Sequence, residues 1–156
     1  MKITFAFVFF ISFLTVKNID KNLIYKSLSS NNKLQVETLI STLQKKENTS
    51  INRAYRGALL TKKASFEKAV QSKIKSFKAG ATLLETEISK FPKQTEYRFL
   101  RLCIQENCPK ILGYNKNIQE DVLLISTNYS QQSNLLKKII YDYAKNSNAL
   151  DHTLLK

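Results

Sequence analysis

The sequence has few of the residues that build turns, since only 3 glycines and 2 prolines occur among 156 residues. All-β proteins need many tight turns, which depend on these residues, so their scarcity favours long helices. Hydrophobic residues make up 43% of the chain, which is too large a share for a disordered protein. We therefore predict an all-α fold built of antiparallel helix hairpins, with about six or seven helices.

Residues for histidine-based or metal-based chemistry are also scarce. The single histidine, His152, lies near the C-terminus in a segment predicted to fray, where it would not be held rigidly as a general base. Two cysteines and one distant histidine do not supply the four ligands of a zinc site. Neither a P-loop nor a G-x-G-x-x-G motif occurs. The sequence therefore predicts no catalytic residue of these classes, no metal site and no cofactor.

The two cysteines, Cys103 and Cys108, lie five positions apart. On a continuous helix they would project about 140° apart, too divergent for a disulfide. Two free, largely buried thiols are therefore favoured. A disulfide is the alternative, because Pro109 suggests that the helix ends near Cys108.

Acidic residues are in the minority, with 12 against 25 lysines and arginines, and the formal net charge is +13. A basic balance suggests anionic partners such as nucleic acid, phospholipid head groups or acidic polysaccharide. The lysines are spread over several segments, and the longest basic stretch contains only Lys73, Lys75 and Lys78. Solvated helix faces are the favoured interpretation, and no nucleic-acid partner is expected.

The longest apolar run lies at the N-terminus. Met1 and Lys2 precede 14 uncharged residues, 3–16, which include five phenylalanines. This length suits the hydrophobic part of a signal peptide and falls short of the roughly 20 residues that span a bilayer. We predict that residues 1–17 are an export signal, with an uncleaved N-terminal anchor as the alternative. The protein is then expected in the periplasm or associated with the cell envelope.

The rest of the chain is predicted to be one helical domain, residues 18–147, followed by a frayed tail, residues 148–156. Gly57 is flanked by small residues and would let a second helix approach closely. Asn117 and Glu120 have the spacing of a capping box and predict the start of a later helix.

Two helices stand out in the middle of the chain. An apolar stripe runs from Phe66 to Phe91 with spacings of three or four residues, which indicates one long helix. Pro92 ends it, because the residue before a proline disfavours helix. The next helix, residues 95–107, is apolar around most of its circumference and should be the most buried.

Arg98, Arg101 and Gln105 form the narrow polar stripe of this buried helix. One interpretation is a site for an anion or acidic peptide, since guanidinium groups pair well with carboxylate and phosphate. The favoured alternative is a structural network in which the arginines bond loop carbonyls and nearby carboxylates such as Glu106. The candidate binding residues are Arg98, Arg101, Gln105, Glu106, Asn107, Tyr114 and Asn115.

Two pairs of carboxylates are candidates for a general acid and base. Glu120 and Asp121 are better explained as negative charge in the first turn of a helix, where it complements the helix dipole. Glu85 and Glu87 point to different sides of their helix. Neither pair therefore predicts a catalytic site.

Several motifs resemble those of a family of small exported bacterial proteins with no established function. They are A-Y-x-G-A at residues 54–58, F-K-x-G at 77–80, E-Y-R-F-L-R at 96–101 and the loop L-G-Y-N at 112–115. The order helix, long helix, proline, helix is also similar, in degraded form, to a tetratricopeptide-repeat unit, which stacks antiparallel helix pairs. The resemblance implies an exported helical protein and supplies no catalytic residues.

The leading hypothesis is a non-catalytic interaction or scaffold protein that binds a protein or peptide partner on a helical surface. One alternative is a small enzyme that uses carboxylates and arginines on a sugar or phosphate substrate. Such an enzyme predicts a deep cleft where Glu106, Arg98 or Asp121 converge. The other is a basic module held on anionic envelope lipid or polysaccharide. Membrane contact is expected only through residues 3–16 or through weak electrostatics.

Overall fold

The computed structural model describes residues 19–156, which form seven α-helices and no strand, so the all-α prediction is confirmed. The predicted export signal lies outside these residues. Within them, no helix is both long enough and apolar enough to cross a membrane. The helices are α1 (Lys21–Ser29), α2 (Lys33–Lys45), α3 (Ser50–Lys63), α4 (Val70–Lys90), α5 (Thr95–Asn107), α6 (Ile118–Asn128) and α7 (Asn134–Ala144).

Four of the helices begin with a side-chain cap, which satisfies a backbone N–H that has no partner in the first turn. The capping residues are Asp20, Asn32, Thr49 and Ser133. Helix α6 begins directly after Asn117, as predicted, but the predicted capping box is not formed. The Asn117 backbone has φ −107° and ψ 10°, not the extended conformation of a cap, and its side chain makes no cap hydrogen bond. The Asn117 N–H instead donates to Gln105 Oε1 at 2.9 Å, so a tertiary contact fixes this helix start.

The long apolar stripe is divided between two elements. A short 3₁₀ turn covers Ala64–Phe66, and the backbone is extended at Glu67, with ψ 145°. Helix α4 then begins at Val70, later than the stripe predicted, and ends at Lys90. The end before Pro92 agrees with the prediction.

Helices α3 and α4 cross at backbone contact, where Gly57 faces Gly80. A Cβ atom on Gly80 would lie 2.5 Å from the carbonyl oxygen of Gly57 and 2.6 Å from the backbone nitrogen of Thr61. A Cβ on Gly57 would lie 2.9 Å from the carbonyl oxygen of Gly80. Only hydrogen atoms fit between the two helices at this crossing, as the small residues around Gly57 led us to expect.

Helix α5 lies between two hydrophobic clusters. Its Tyr97 and Leu100 pack in the larger cluster with residues of α1 to α4. Its Phe99 and Leu102 pack in the smaller cluster with residues of α6, α7 and the C-terminal segment. Ten of its thirteen residues are buried, which confirms the prediction that it is the most buried helix.

The C-terminal segment, residues 148–156, is packed where the sequence predicted fraying. Leu150 is fully buried in the smaller cluster, and Leu155 packs against that cluster. The backbone forms a short 3₁₀ turn at His152–Leu154, capped by Asp151. The anchor of this segment is a carboxylate that lies on α5, which the sequence of the segment does not indicate.

Candidate functional site

Asp121 lies at the centre of a polar network between α5 and α6. Its side chain is fully buried and accepts two hydrogen bonds from Arg101, at 2.8 Å from Nε and 2.7 Å from Nη2. Arg98 Nη1 donates to it at 3.0 Å and Gln105 Nε2 at 2.8 Å. The three donors lie three and four positions apart on α5, so they share one helix face and reach a single carboxylate.

The remaining nitrogens of both guanidinium groups also have acceptors within the fold. Arg98 Nε donates to the Pro92 carbonyl at 2.9 Å, and its Nη2 donates to Glu120 at 2.6 Å. Arg101 Nη1 donates to Glu85 at 3.0 Å. Both arginines are buried. An external anion would therefore have to displace one of these carboxylates to bind them.

The electrostatics of this network favour the charged forms of Arg101 and Glu120. Burial lowers the pKa of Arg101, but the hydrogen bonds and charge of Asp121, followed by those of Glu85, outweigh burial and raise it. The hydrogen bond from Arg98 lowers the pKa of Glu120. Three carboxylates thus balance two guanidinium groups, and the network as a whole has no spare positive charge.

Tyr114 connects the network to the loop between α5 and α6. Its hydroxyl donates to Glu85 at 2.5 Å, and its ring packs edge-on against Phe77 with 5.4 Å between centroids. Burial, and then the hydrogen bond to Glu85, raise the pKa of Tyr114. Gly113 precedes it with φ 62°, a left-handed conformation that suits glycine. The loop is thereby held against α4.

Three predicted binding residues lie apart from the network. Asn107 is exposed, and its side chain donates to the Cys103 carbonyl on its own helix at 2.8 Å. Asn115 is exposed in the loop. Glu106 binds the C-terminal segment, so the prediction that the arginines bond Glu106 is wrong.

Glu106 is the anchor of the C-terminal segment. It accepts hydrogen bonds from the hydroxyl groups of Tyr143 at 2.6 Å and Ser147 at 2.7 Å. It also accepts from the backbone N–H groups of Asn148 at 2.8 Å and Ala149 at 2.9 Å. The side chain therefore serves as a structural acceptor for four donors.

A second buried carboxylate, Glu87 on α4, holds the start of α3. Arg53 donates to it from Nε at 2.6 Å and from Nη2 at 3.0 Å, Lys90 donates at 3.2 Å, and Ser50 Oγ also donates to it. The hydrogen bond from Arg53 is the main reason that the pKa of Glu87 is lowered to about 2, against the opposing effect of burial. As predicted, Glu85 and Glu87 serve different sides of the helix.

Glu96 on α5 connects the helix to α1 and α3. Lys21 donates to it at 2.7 Å, and the buried Tyr55 hydroxyl donates to its other oxygen. Burial, and then the charge of Glu96, raise the pKa of Tyr55. This carboxylate, like Glu87 and Glu106, is engaged by side chains far away in sequence.

Two grooves on the described part of the chain are shallow and open to solvent. One groove follows the outer face of α2, and another follows the outer face of α4. The groove on α4 is lined by Ala81, Thr82, Glu85, Thr86 and Ser89. Neither groove includes Asp121, Arg98 or Glu106. Among residues 19–156, no cluster of His, Cys, Asp and Glu side chains is arranged to hold a metal ion.

Comparisons of the chain with protein-family models, with curated proteins and with solved structures find no match. The resemblance to small exported bacterial proteins accordingly stays a prediction from the sequence. The site must be interpreted from the contacts of its own residues.

In the structure, Arg98, Arg101 and Gln105 all donate to one carboxylate, Asp121. The sequence predicted only that Asp121 complements the dipole of its own helix. Asp121 does lie in the first turn of α6, but its burial and its four hydrogen bonds make it the centre of the network. Glu85, which joins the network from α4, was not predicted either. The one signal in the sequence was the pair of arginines on a buried helix, since buried charges require partners.

Proposed function

We propose that this protein is a non-catalytic interaction or scaffold protein of the periplasm or cell envelope, which binds a protein or peptide partner on a helical surface. The observation that carries the proposal is that the buried chemistry of the site is engaged internally. Arg98 and Arg101 direct all their guanidinium nitrogens at acceptors of the chain itself. A network of this kind fixes helices relative to one another and leaves their outer faces for a partner.

The carboxylates favour the same role. An enzyme acting on a sugar or phosphate would need an acid or base beside its substrate in a water-excluding cleft. Asp121 is saturated by three side chains, and Glu106 is occupied by the C-terminal segment. The open groove on α4 contains one carboxylate, Glu85, and that group is already bonded to Arg101 and Tyr114.

The outer surface supplies contacts suited to a protein partner. The groove on α4 presents small polar side chains. Large apolar side chains are exposed at other places on the surface. Ile111 is 95% exposed and Leu123 is 68% exposed. Apolar side chains on a rigid surface gain free energy when a partner covers them.

Site-specific photo-crosslinking in the native host tests the proposal. A photoreactive amino acid at Thr86, exposed on the α4 groove, is expected to give discrete adducts with another protein. The same group at Lys138, exposed on α7, is the matched control and is expected to give none. Absence of adducts from every exposed site on α2, α4 and α6, together with turnover of a sugar or phosphate substrate by the purified chain, would contradict it.

The location is tested separately. Mass spectrometry of the mature N-terminus in the envelope or periplasmic fraction is expected to show loss of the first 17 or so residues, or an intact chain in the membrane fraction. An intact Met1 in the soluble cytoplasmic fraction would contradict export.

A further inference from the structure

Positive charge is concentrated at one end of the α3–α4 hairpin. Residues 62–78 contain six lysines and one glutamate, a net charge of +5 in 17 positions. We call this segment the basic tip. It joins the end of α3, the 3₁₀ turn and the first turns of α4.

The lysines of the basic tip are largely unneutralised. Lys63 lies 3.7 Å from Glu67, the one carboxylate of the tip. Four other lysines of the tip have no carboxylate of the described chain within ion-pair distance. They are Lys68, Lys73, Lys75 and Lys78.

The reason for this excess lies in how the fold uses its acidic residues. Glu85, Glu87, Glu96, Glu106 and Asp121 are all engaged by partners around the second half of α4, α5 and α6. That half of the molecule is close to internally neutral. The field at the basic tip is therefore set by its own lysines, and it will attract anionic surfaces.

An apolar ridge lies within this charged segment. From Val70 to Ser76, the first two turns of α4 contain no buried side chain. Val70 is 69% exposed and Ile74 is 38% exposed, and at four residues apart they lie on one helix face. At about 100° per residue, Lys73 and Lys78 flank that ridge on opposite sides.

We propose that the basic tip binds the surface of a bilayer that contains anionic phospholipid. Val70 and Ile74 enter the head-group region, while Lys73, Lys75 and Lys78 lie beside lipid phosphates. Basic residues around an exposed apolar ridge are the pattern of a helix that lies in a membrane interface. The proposal does not rest on the protein partner proposed above, since it concerns a different surface.

A lipid surface explains the composition of the tip better than nucleic acid does. Single-stranded nucleic acid is bound with stacked aromatic side chains, and base recognition uses arginine forks. The tip has no arginine, and neither of its two aromatic side chains is free for stacking: Phe77 is buried, and Phe66 is partly buried with the Lys62 ammonium 5.5 Å from its ring. Two exposed aliphatic side chains would gain nothing on a phosphate backbone, but they lose contact with water in a head-group layer.

The test is flotation of the purified full chain with vesicles of phosphatidylcholine alone or mixed equally with phosphatidylglycerol. Binding is expected for the mixed vesicles and is expected to weaken with salt. The triple variant Lys73→Glu, Lys75→Glu and Lys78→Glu is expected to bind at least about tenfold more weakly. The matched control makes the same charge change at exposed lysines elsewhere, Lys93→Glu, Lys110→Glu and Lys116→Glu, and is expected to retain most binding.

A second variant reports on insertion of the ridge. The chain has no tryptophan, so Val70→Trp provides a unique fluorophore. Its emission is expected to shift to shorter wavelength on the mixed vesicles, whereas Lys138→Trp is expected to show no shift. Residues 3–16 are present in every variant, and the vesicles of phosphatidylcholine alone measure their own affinity for lipid, so the tip is judged by the extra binding to the mixed vesicles.

Three results would overturn the proposal. They are no binding of the wild-type chain to mixed vesicles, equal binding by the tip variant and the wild type, or tip-dependent binding of DNA, RNA or acidic polysaccharide without binding of vesicles. Circular dichroism checks that the variants fold, which is expected because all three substituted lysines are exposed.

Discussion

Arg101 and Asp121 are joined by two parallel hydrogen bonds, from Nε to Oδ2 at 2.8 Å and from Nη2 to Oδ1 at 2.7 Å. Both side chains are buried, so each charge depends on the other for compensation. The Coulomb attraction of such a pair is largely offset by the cost of removing both ions from water. The pair therefore acts chiefly by making any other docking of α5 against α6 unfavourable.

Arg101→Met is expected to lower the free energy of unfolding by about 3–5 kcal/mol, because it leaves the Asp121 carboxylate buried without its main partner. Urea denaturation followed by circular dichroism measures the change. Lys138→Met removes an exposed pair with Asp142 and is expected to leave the free energy of unfolding almost unchanged. If variants of both Arg98 and Arg101 fold with normal stability but lose a binding partner, the network is a recognition site instead.

Gly80→Ala is expected to destabilise the protein by about 1–3 kcal/mol, because the new Cβ would meet the backbone of α3. The backbone cannot yield as a flexible side chain would, so this cost exceeds the gain of about 1 kcal/mol in helix propensity. Thermal or urea unfolding measures it. Ala79→Ser, on the exposed side of the same turn, is expected to change stability by under about 0.5 kcal/mol. A stabilised Gly80→Ala variant would show that the helices separate readily.

The Arg53–Glu87 pair predicts a dependence of stability on pH. The pKa of Glu87 is lowered to about 2 in the folded chain, below its ordinary value of 4.5, so the unfolded state binds more protons in that interval. Its contribution is present above about pH 4.5 and is lost as the pH falls towards 2.

Denaturation series between pH 2 and 6 measure this dependence. Glu87→Gln is expected to flatten the stability profile in that window, and Arg53→Met to reduce its slope. Arg56→Met is the matched control on the same helix, because Arg56 forms no ion pair within residues 19–156. An unchanged profile for Glu87→Gln would assign the acid sensitivity to other carboxylates.

Glu106→Ala is expected to release the C-terminal segment, because four donors lose their common acceptor. The amide hydrogens of Asn148 and Ala149 are expected to exchange faster, with a loss of about 1–3 kcal/mol in local stability. Hydrogen exchange measured by mass spectrometry reports this, and limited proteolysis near Leu150 reports it independently. Asn107→Ala, at the adjacent exposed position, is expected to leave exchange of the segment unchanged. A segment that frays equally in the wild type would contradict the anchor.

The cysteines are separate thiols in the structure, as the sequence favoured. Burial, and then the charge of Glu106, raise the pKa of Cys103, and burial raises that of Cys108. Since the thiolate is the reactive form, both are expected to react slowly with a thiol reagent in the native chain. Two thiols are expected on titration in denaturant, and a count of zero would indicate a disulfide.

The sequence by itself determined the helical class and the order of the main helices. The spacing of apolar residues by three and four positions is a local property, and it gave the bounds of α5. The end of α4 before Pro92 follows from the proline itself. Gly57 likewise predicted a close helix contact, because a residue without a Cβ atom leaves room for a second helix. Local patterns failed where a distant residue supplied the partner, as where Gln105 accepts from the Asn117 N–H in place of the predicted capping box.

Only the tertiary structure decided what the charged residues do. Asp121 is 20 residues from Arg101, and Glu87 is 34 residues from Arg53, so no local pattern links the members of either pair. Burial required the arginines to have partners, but which carboxylate reaches them depends on how α4, α5 and α6 dock. The same docking engages the acidic residues of one half of the molecule and leaves four lysines of the basic tip without a carboxylate partner.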